Sequence, residues 1–165
     1  MSVHVCPALQ DALLQRYVGQ GSTYTDCYAA ALPESVSLQT FIEAFYSTLL
    51  FRAERTLLQI ALRRKITDAD VTALAQGRAD SFAVWRVDAR RDREILLSDM
   101  SGHTRSYLAV DGVSVIFGSA VVAAPNAPLS AFATLTLPFH RQYSKALLGA
   151  AVRALVAGNL KPRAY

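Results

Sequence analysis

The chain has 165 residues, enough for one domain with a single substantial core. Its composition, 52% hydrophobic and 18% charged with a mean hydropathy of +0.22, excludes disorder and predicts thorough packing, self-association or an enclosed apolar cavity. The net charge of +4 comes from Lys and Arg residues that stand singly or in short runs such as LRRK and ARRDR, so nucleic acid is not an expected partner. No run reaches the length of a membrane span, and the opening MSVHVCPALQDALLQ lacks the basic lead and apolar stretch of a signal peptide, so a cytoplasmic location is the expectation. Cys6 and Cys27 belong to no CxxC pair and no Cys/His ligand spacing. Reduced thiols are therefore expected, with no metal and no cofactor.

In chain order, PALQDALLQRYVGQG predicts a short peripheral helix: Pro7 suits a first turn, Leu9, Leu13 and Tyr17 recur near helical spacing, and Gly19 closes the end. Residues 1–21 are accordingly expected as a helical extension, 22–158 as one domain and 159–165 as a tail. Thr23 to Leu32, TYTDCYAAAL, predicts a first strand bounded by GQGS and Pro33. Ser37 is a candidate N-cap for a long helical region in which Phe41, Phe45, Leu49, Ala53, Leu57 and Ala61 recur every four residues, as one helix or as two meeting near Ser47-Thr48. Thr67 and Asp70 resemble a capping box with Asp where Glu or Gln is usual; DADVTALAQ follows as a short helix and Gly77 stops it.

From Phe82 the period changes to alternation. FAVWRVDA, EILLSDM, TRSYLAV and VSVIFGSAVV are four strand candidates whose short connections permit only antiparallel pairing. Asp111-Gly112 is a strong two-residue hairpin signal and Ser101-Gly102 a weaker one. AAPNAPLSAF predicts a loop, and Pro138 is expected to open a last helix with Phe139, Tyr143, Leu147, Ala150 and Ala154 as its apolar stripe.

These elements predict an α+β fold of order (α)-β-α-α-β-β-β-β-α, a curved antiparallel sheet wrapped on a long C-terminal helix. Over residues 22–158, that order, with the phrases SFAVWRVDA, EILLSD and IFGSAVV ahead of a terminal helix, resembles the helix-grip START/Bet v1-like superfamily and its bacterial members. The resemblance is one of topology and phrase without a signature motif, and the four strands counted after the helices compare with six in fuller members. It implies binding of an apolar or amphipathic small molecule and, in some branches, cyclase or hydrolase-like activity. Fold alone does not settle function.

With Asp111-Gly112 as the tip, Leu108 is expected opposite Val115, Ser106 opposite Phe117 and Thr104 opposite Ser119, all on one face. Continuing across Ser101-Gly102 sets Asp99 opposite Thr104, and a three-residue turn over Arg91 to Arg93 sets Trp85 opposite Asp99. That face is greasy at one end (Leu97, Leu108, Val110, Val113, Val115) and polar at the other. On the last helix Tyr143 is expected to face the sheet and His140 to lie at its boundary. The candidate ligand-binding residues are therefore Trp85, Asp99, Thr104, Ser106, Phe117, Ser119, His140 and Tyr143.

Each carries a plainer reading. Asp99 either works as an acid or base, if burial raises its pKa, or simply ends its strand and accepts backbone or Thr104 hydrogen bonds, which is the favoured reading. His103 and Arg105 fall on the opposite face, with Arg105 expected opposite Gly118. His140 and Ser144 have i, i+4 proximity but neither an orienting acid nor a nucleophile elbow, so they read as a pocket edge, and no catalytic residue is assigned. The leading expectation is non-catalytic small-molecule binding between the sheet and the C-terminal helix, with AAPNAPLSAF near the entrance. The alternatives are a cyclase- or isomerase-type enzyme using Asp99, His140 or Tyr143, and an interaction or homodimerisation domain using outward-facing Val84, Leu96, Met100, Tyr107 and Ile116.

Overall fold

A computed structural model describes residues 2–52, 66–123 and 131–159. Ala53, Leu57, Ala61, most of the expected AAPNAPLSAF loop and residues 160–165 lie outside the described residues. The fold is α+β, with the expected element order. One curved, unclosed antiparallel sheet carries seven strands in the order β1-β2-β7-β6-β5-β4-β3. They are β1 (His4–Val5), β2 (Tyr24–Ala31), β3 (Ser81–Phe82), β4 (Trp85–Arg91), β5 (Glu94–Asp99), β6 (Thr104–Asp111) and β7 (Ser114–Val121). The two-residue strands β1 and β3 close the sheet's two edges and are too short to leave an alternation in the sequence.

Helix α1 (Leu38–Tyr46) starts where expected, with the Ser37 Oγ accepting from the Thr40 N–H at 3.0 Å. The long helical region does break at Ser47-Thr48: the Thr48 hydroxyl donates to the Phe45 carbonyl at 3.0 Å and accepts from the Phe51 N–H at 3.2 Å, capping a new turn over 49–52. Helix α2 (Asp68–Ala75) has a complete capping box, with Asp70 Oδ2 reaching back to the Thr67 N–H at 2.7 Å. Helix α3 (Ala131–Asn159) begins ahead of Pro138, which therefore lies inside it. Proline removes one donor from the ladder, a cost the remaining turns of a 29-residue helix outweigh.

The sheet is buried on both faces. The inner face packs Leu97, Leu108, Val115 and Phe117 under the helices; α3 lies against β2, β7 and α1, and α1 covers β6. The outer face, expected to expose an apolar patch, is covered by the chain's own N-terminus. Leu96, Tyr107 and Ile116 are buried beneath Ala12, Leu13 and Leu14, while Met100 stays exposed at its turn. Instead of a helix from Pro7, this segment forms β1 and then a 3-10 helix, Leu13–Tyr17. It is tied down: Glu94 Oε2 accepts from the Leu13 N–H and the Tyr107 hydroxyl, both at 2.9 Å, and Arg91 bridges Glu94 Oε1 at 2.7 Å and the Asp11 carbonyl at 2.8 Å.

The strand registers differ from expectation in two instructive places. At the β6-β7 hairpin, Asp111 pairs with Ser114, so the turn is Gly112-Val113 and Leu108 faces Phe117 while Ser106 faces Ser119. Gly112 has φ +57° and Asp111 does not, a one-glycine turn of the II′ kind in place of the Asp-Gly I′ turn. The shift is two residues, so every side chain keeps its face. In β4, Trp85 does face Asp99, but the connection is the two-residue turn Asp92-Arg93, and a bulge between Val87 and Ala89 absorbs the extra residue.

Gly118 faces Tyr107 and Cys27, not Arg105, and its missing side chain makes room for Leu14. A Cβ there would stand 2.5 Å from Leu14 Cδ2 and 3.1 Å from the Asp26 carbonyl oxygen. Gly118→Ala is therefore expected to cost about 1–3 kcal/mol in urea unfolding, and Leu14→Ala about 2–5 kcal/mol. The double mutant should cost clearly less than the two together, because removing Leu14 relieves the clash; simple additivity would show that the two do not meet.

Candidate functional site

At the end of the inner face where β6 begins and β7 ends, a cavity of about 280 Å³ lies between the sheet and the helices. All eight expected side chains line it: Trp85, Asp99, Thr104, Ser106, Phe117, Ser119, His140 and Tyr143. Phe45, Tyr46 and Phe51, from α1 and the turn after it, and Leu147 from α3 complete the apolar wall. The space follows from side-chain size: Ser106 and Ser119 pair across β6 and β7 where the neighbouring inward positions carry Leu108 and Phe117.

The polar wall is a connected chain. The Ser119 hydroxyl donates to Asp26 Oδ1 at 2.5 Å and meets His140 Nε2 at 2.7 Å. A hydroxyl has a single proton, so with that proton on Asp26 it accepts from His140 Nε2–H. Asp26 Oδ2 takes the Tyr24 and Tyr28 hydroxyls at 3.1 and 3.3 Å, and Arg141 Nε donates to the Tyr24 oxygen at 2.8 Å. Burial, with the Asp26 charge beside it, pushes the Tyr28 hydroxyl far above its ordinary pKa, and Tyr24 is raised chiefly by burial. Both remain donors across the neutral range.

Asp99 ends its strand. Its Oδ1 accepts the Thr104 N–H at 2.9 Å and its Oδ2 takes the Ser101 hydroxyl across the turn. Burial acts to raise its pKa, but the Ser101 hydroxyl, the Thr104 and His103 N–H groups and the His103 ring together hold it below the ordinary 3.8. A lowered pKa makes it a poor proton donor near neutrality, and the acid–base reading of Asp99 loses its premise. Tyr143 stacks in parallel on the exposed Phe139 ring at 6.5 Å. His140 bonds Ser119, not Ser144, whose hydroxyl is buried without a partner among the described residues. Trp85 Nε1 is the second such atom. On the outer face, Arg105 Nε donates to the Tyr17 hydroxyl at 2.8 Å and lies 3.3 Å from Asp88, holding the N-terminal segment.

Asp26 is the residue that sequence reasoning missed. A signal existed: on β2, alternation sets Tyr24, Asp26 and Tyr28 on one face, and a carboxylate between two tyrosines in an apolar strand needs partners. Among the described residues no group of three or more His, Cys, Asp or Glu is arranged to hold a metal, and no helix is long and apolar enough to cross a membrane. Comparison with protein-family models, with curated proteins and with solved structures finds no match to this chain, so its site is read from its own geometry.

The Asp99 turn carries a pH signature. A carboxyl held below 3.8 in the folded chain contributes stability that is complete above its unfolded pKa and is lost as pH falls through the folded value. Asp99→Asn should flatten the acid limb of the stability–pH curve below about pH 4, measured by urea unfolding at stepped pH; an unchanged acid limb would deny Asp99 this role.

Proposed function

We propose that the protein binds a small amphipathic molecule, without chemistry, in the cavity between the sheet and α3. The observation that carries this reading is the Trp85 Nε1 donor, buried without a partner among the described residues on an otherwise aromatic wall. A buried donor left unpaired costs about 1–3 kcal/mol, which an acceptor on a ligand removes. The His140 ring, which also lines the cavity, supplies a further polar contact, so the favoured occupant has a flat apolar body and a carbonyl or carboxylate. At about 280 Å³ the cavity sits near the lower limit of known small-molecule sites, which suits a compact ligand over a long lipid. A helix-grip protein of the START/Bet v1-like kind, which the sequence phrases resemble, has the same mode of binding.

Trp85 is the sole tryptophan, so its emission reports on the site. Titration with naphthyl carboxylates and medium-chain fatty acids is expected to shift or quench it saturably for at least one class. Trp85→Phe, followed by calorimetry, should weaken that ligand about tenfold with little change in Tm. Ser106→Leu, which fills the cavity, should abolish binding in a folded protein. No saturable response across the panel, together with an unliganded mass in native mass spectrometry, would remove the binding reading.

One observation favours a second reading. The Asp26–Ser119–His140 chain orients a histidine toward a cavity, as a general base requires. An isomerase or cyclase built on it predicts that His140→Gln keeps ligand affinity but stops turnover of the bound compound. The homodimer reading has lost its patch, since the outer face is covered from within.

A further inference from the structure

The N-terminal segment raises a question that the cavity does not: what keeps it seated. Strand β1 has only two residues, paired as His4 with Ala29 and Val5 with Tyr28. The same register continued by one residue sets Cys6 opposite Cys27, and the Cys6 N–H donates to the Cys27 carbonyl at 3.0 Å. Pro7 follows at once, which keeps Cys6 extended and ends the pairing there. The two thiols lie on the outer face with sulfurs 3.3 Å apart. Hydrogen-bonded pairs in antiparallel strands have Cα atoms about 5.5 Å apart, inside the range of roughly 4.4–6.8 Å that a disulfide needs. Two cysteines with no ligand spacing in the sequence thus become neighbours through strand pairing alone.

We infer that Cys6 and Cys27 form a reversible intramolecular disulfide that locks the N-terminal segment, residues 6–18, across the outer face of the sheet. Both cysteines border an open groove of about 540 Å³ beside β2, where Cys6 is half-buried and Cys27 buried. An oxidant therefore reaches Cys6 first. The Cys6–Cys27 hydrogen bond lowers the Cys6 thiol's pKa, with burial opposing, while the Cys27 thiol is strongly raised by the same contact and by burial. With a peroxide as oxidant, the Cys6 thiolate takes one oxygen to become a sulfenic acid and releases hydroxide. The Cys27 sulfur then displaces the sulfenic oxygen, forming the S–S bond, and that oxygen leaves as water with the Cys27 proton. With a disulfide as oxidant, the Cys6 thiolate attacks one of its sulfurs and expels the first thiol, and Cys27 then attacks the Cys6 sulfur of the mixed disulfide, forming the Cys6–Cys27 bond and expelling the second thiol.

The latch closes a loop of some twenty residues that holds Leu13, Leu14 and Tyr17, the side chains that cover the outer face. It constrains the unfolded chain and joins the segment covalently to the strand that also carries Asp26. Reduced, the segment depends on the short β1 pairing, the Glu94 and Arg105 hydrogen bonds and the fit of Leu14 against Gly118.

The experiment is oxidation of the full chain with hydrogen peroxide, and separately with glutathione disulfide, followed by intact mass, peptide mapping and thermal unfolding. The expected product is a monomer lighter by two hydrogens, with a Cys6–Cys27 cross-linked peptide, reversed by dithiothreitol. Its Tm should rise by about 5–10 °C, and amide exchange over residues 6–18 should slow. Cys6→Ser should lose all of these changes; because Cys6 is only half-buried, this variant is expected to fold with a Tm close to that of the reduced protein. Intermolecular dimers, a sulfinic acid on Cys6 with Cys27 still reduced, or a cross-link that leaves exchange over 6–18 unchanged would each overturn the proposal. Ligand response at Trp85, measured on the reduced protein, is independent of all these outcomes.

Discussion

The constraint on which the rest of this structure depends is that β5, β6 and β7 are apolar on both faces, while a sheet facing water on one side alternates apolar with polar. Both faces must be covered, and the described α-helices all pack on one. The inner face takes α1, α2 and α3; the outer face takes the N-terminal segment, held by Leu14 in the gap at Gly118 and by Glu94 on the Leu13 N–H. The cavity follows from the same constraint. Helices seal the inner face where it offers Leu97, Leu108 and Val115, and leave space where it offers Ser106 and Ser119, whose hydroxyls meet Tyr46, Asp26 and His140.

On each face a carboxylate is set within apolar surroundings, Glu94 on the outer and Asp26 on the inner, and the two are handled alike. Glu94 is met by the Tyr107 hydroxyl, a backbone N–H and Arg91; Asp26 is met by two tyrosine hydroxyls and Ser119. Tyrosine suits this task, because its ring packs with the apolar residues while its hydroxyl satisfies the charge. The consequences differ with the partner beyond. Glu94 fixes backbone and so positions the segment covering the outer face, whereas Asp26 orders a hydroxyl that orders an imidazole at the cavity.

How far the sequence discloses this architecture depends on parity more than on position. Turn chemistry places the β6-β7 tip one residue early, at Asp111-Gly112 instead of Gly112-Val113, which moves each pairing partner by two, and that even shift leaves Thr104, Ser106, Phe117 and Ser119 on the expected face. In β4 an odd error in turn length is cancelled by the bulge after Val87, so Trp85 reaches Asp99 by a route that alternation does not reveal. Long-range features were not legible. Asp26 meets Ser119 across 93 residues of sequence, and Leu14 meets Gly118 across a comparable span; neither leaves a local pattern. The N-terminal spacing of Leu9, Leu13 and Tyr17 looked helical because a 3-10 turn and an α-turn repeat at nearly the same interval over so short a stretch. Pro138 misled in the opposite sense, since a proline preferred at a first turn is tolerated inside a helix long enough to absorb the missing bond.

The two faces are not independent, because strands β2 and β7 serve both. Asp26 pairs with Ser119 toward the cavity, and the next residues along, Cys27 and Gly118, pair toward the N-terminal segment. Leu14 presses into the space above Gly118, and the Asp26 carbonyl borders the same space. The seating of the segment therefore bears on the backbone that aims the Asp26 carboxylate at Ser119. Interiors are close-packed, and the β2-β7 pair is where the N-terminal segment and the cavity wall share one stretch of backbone.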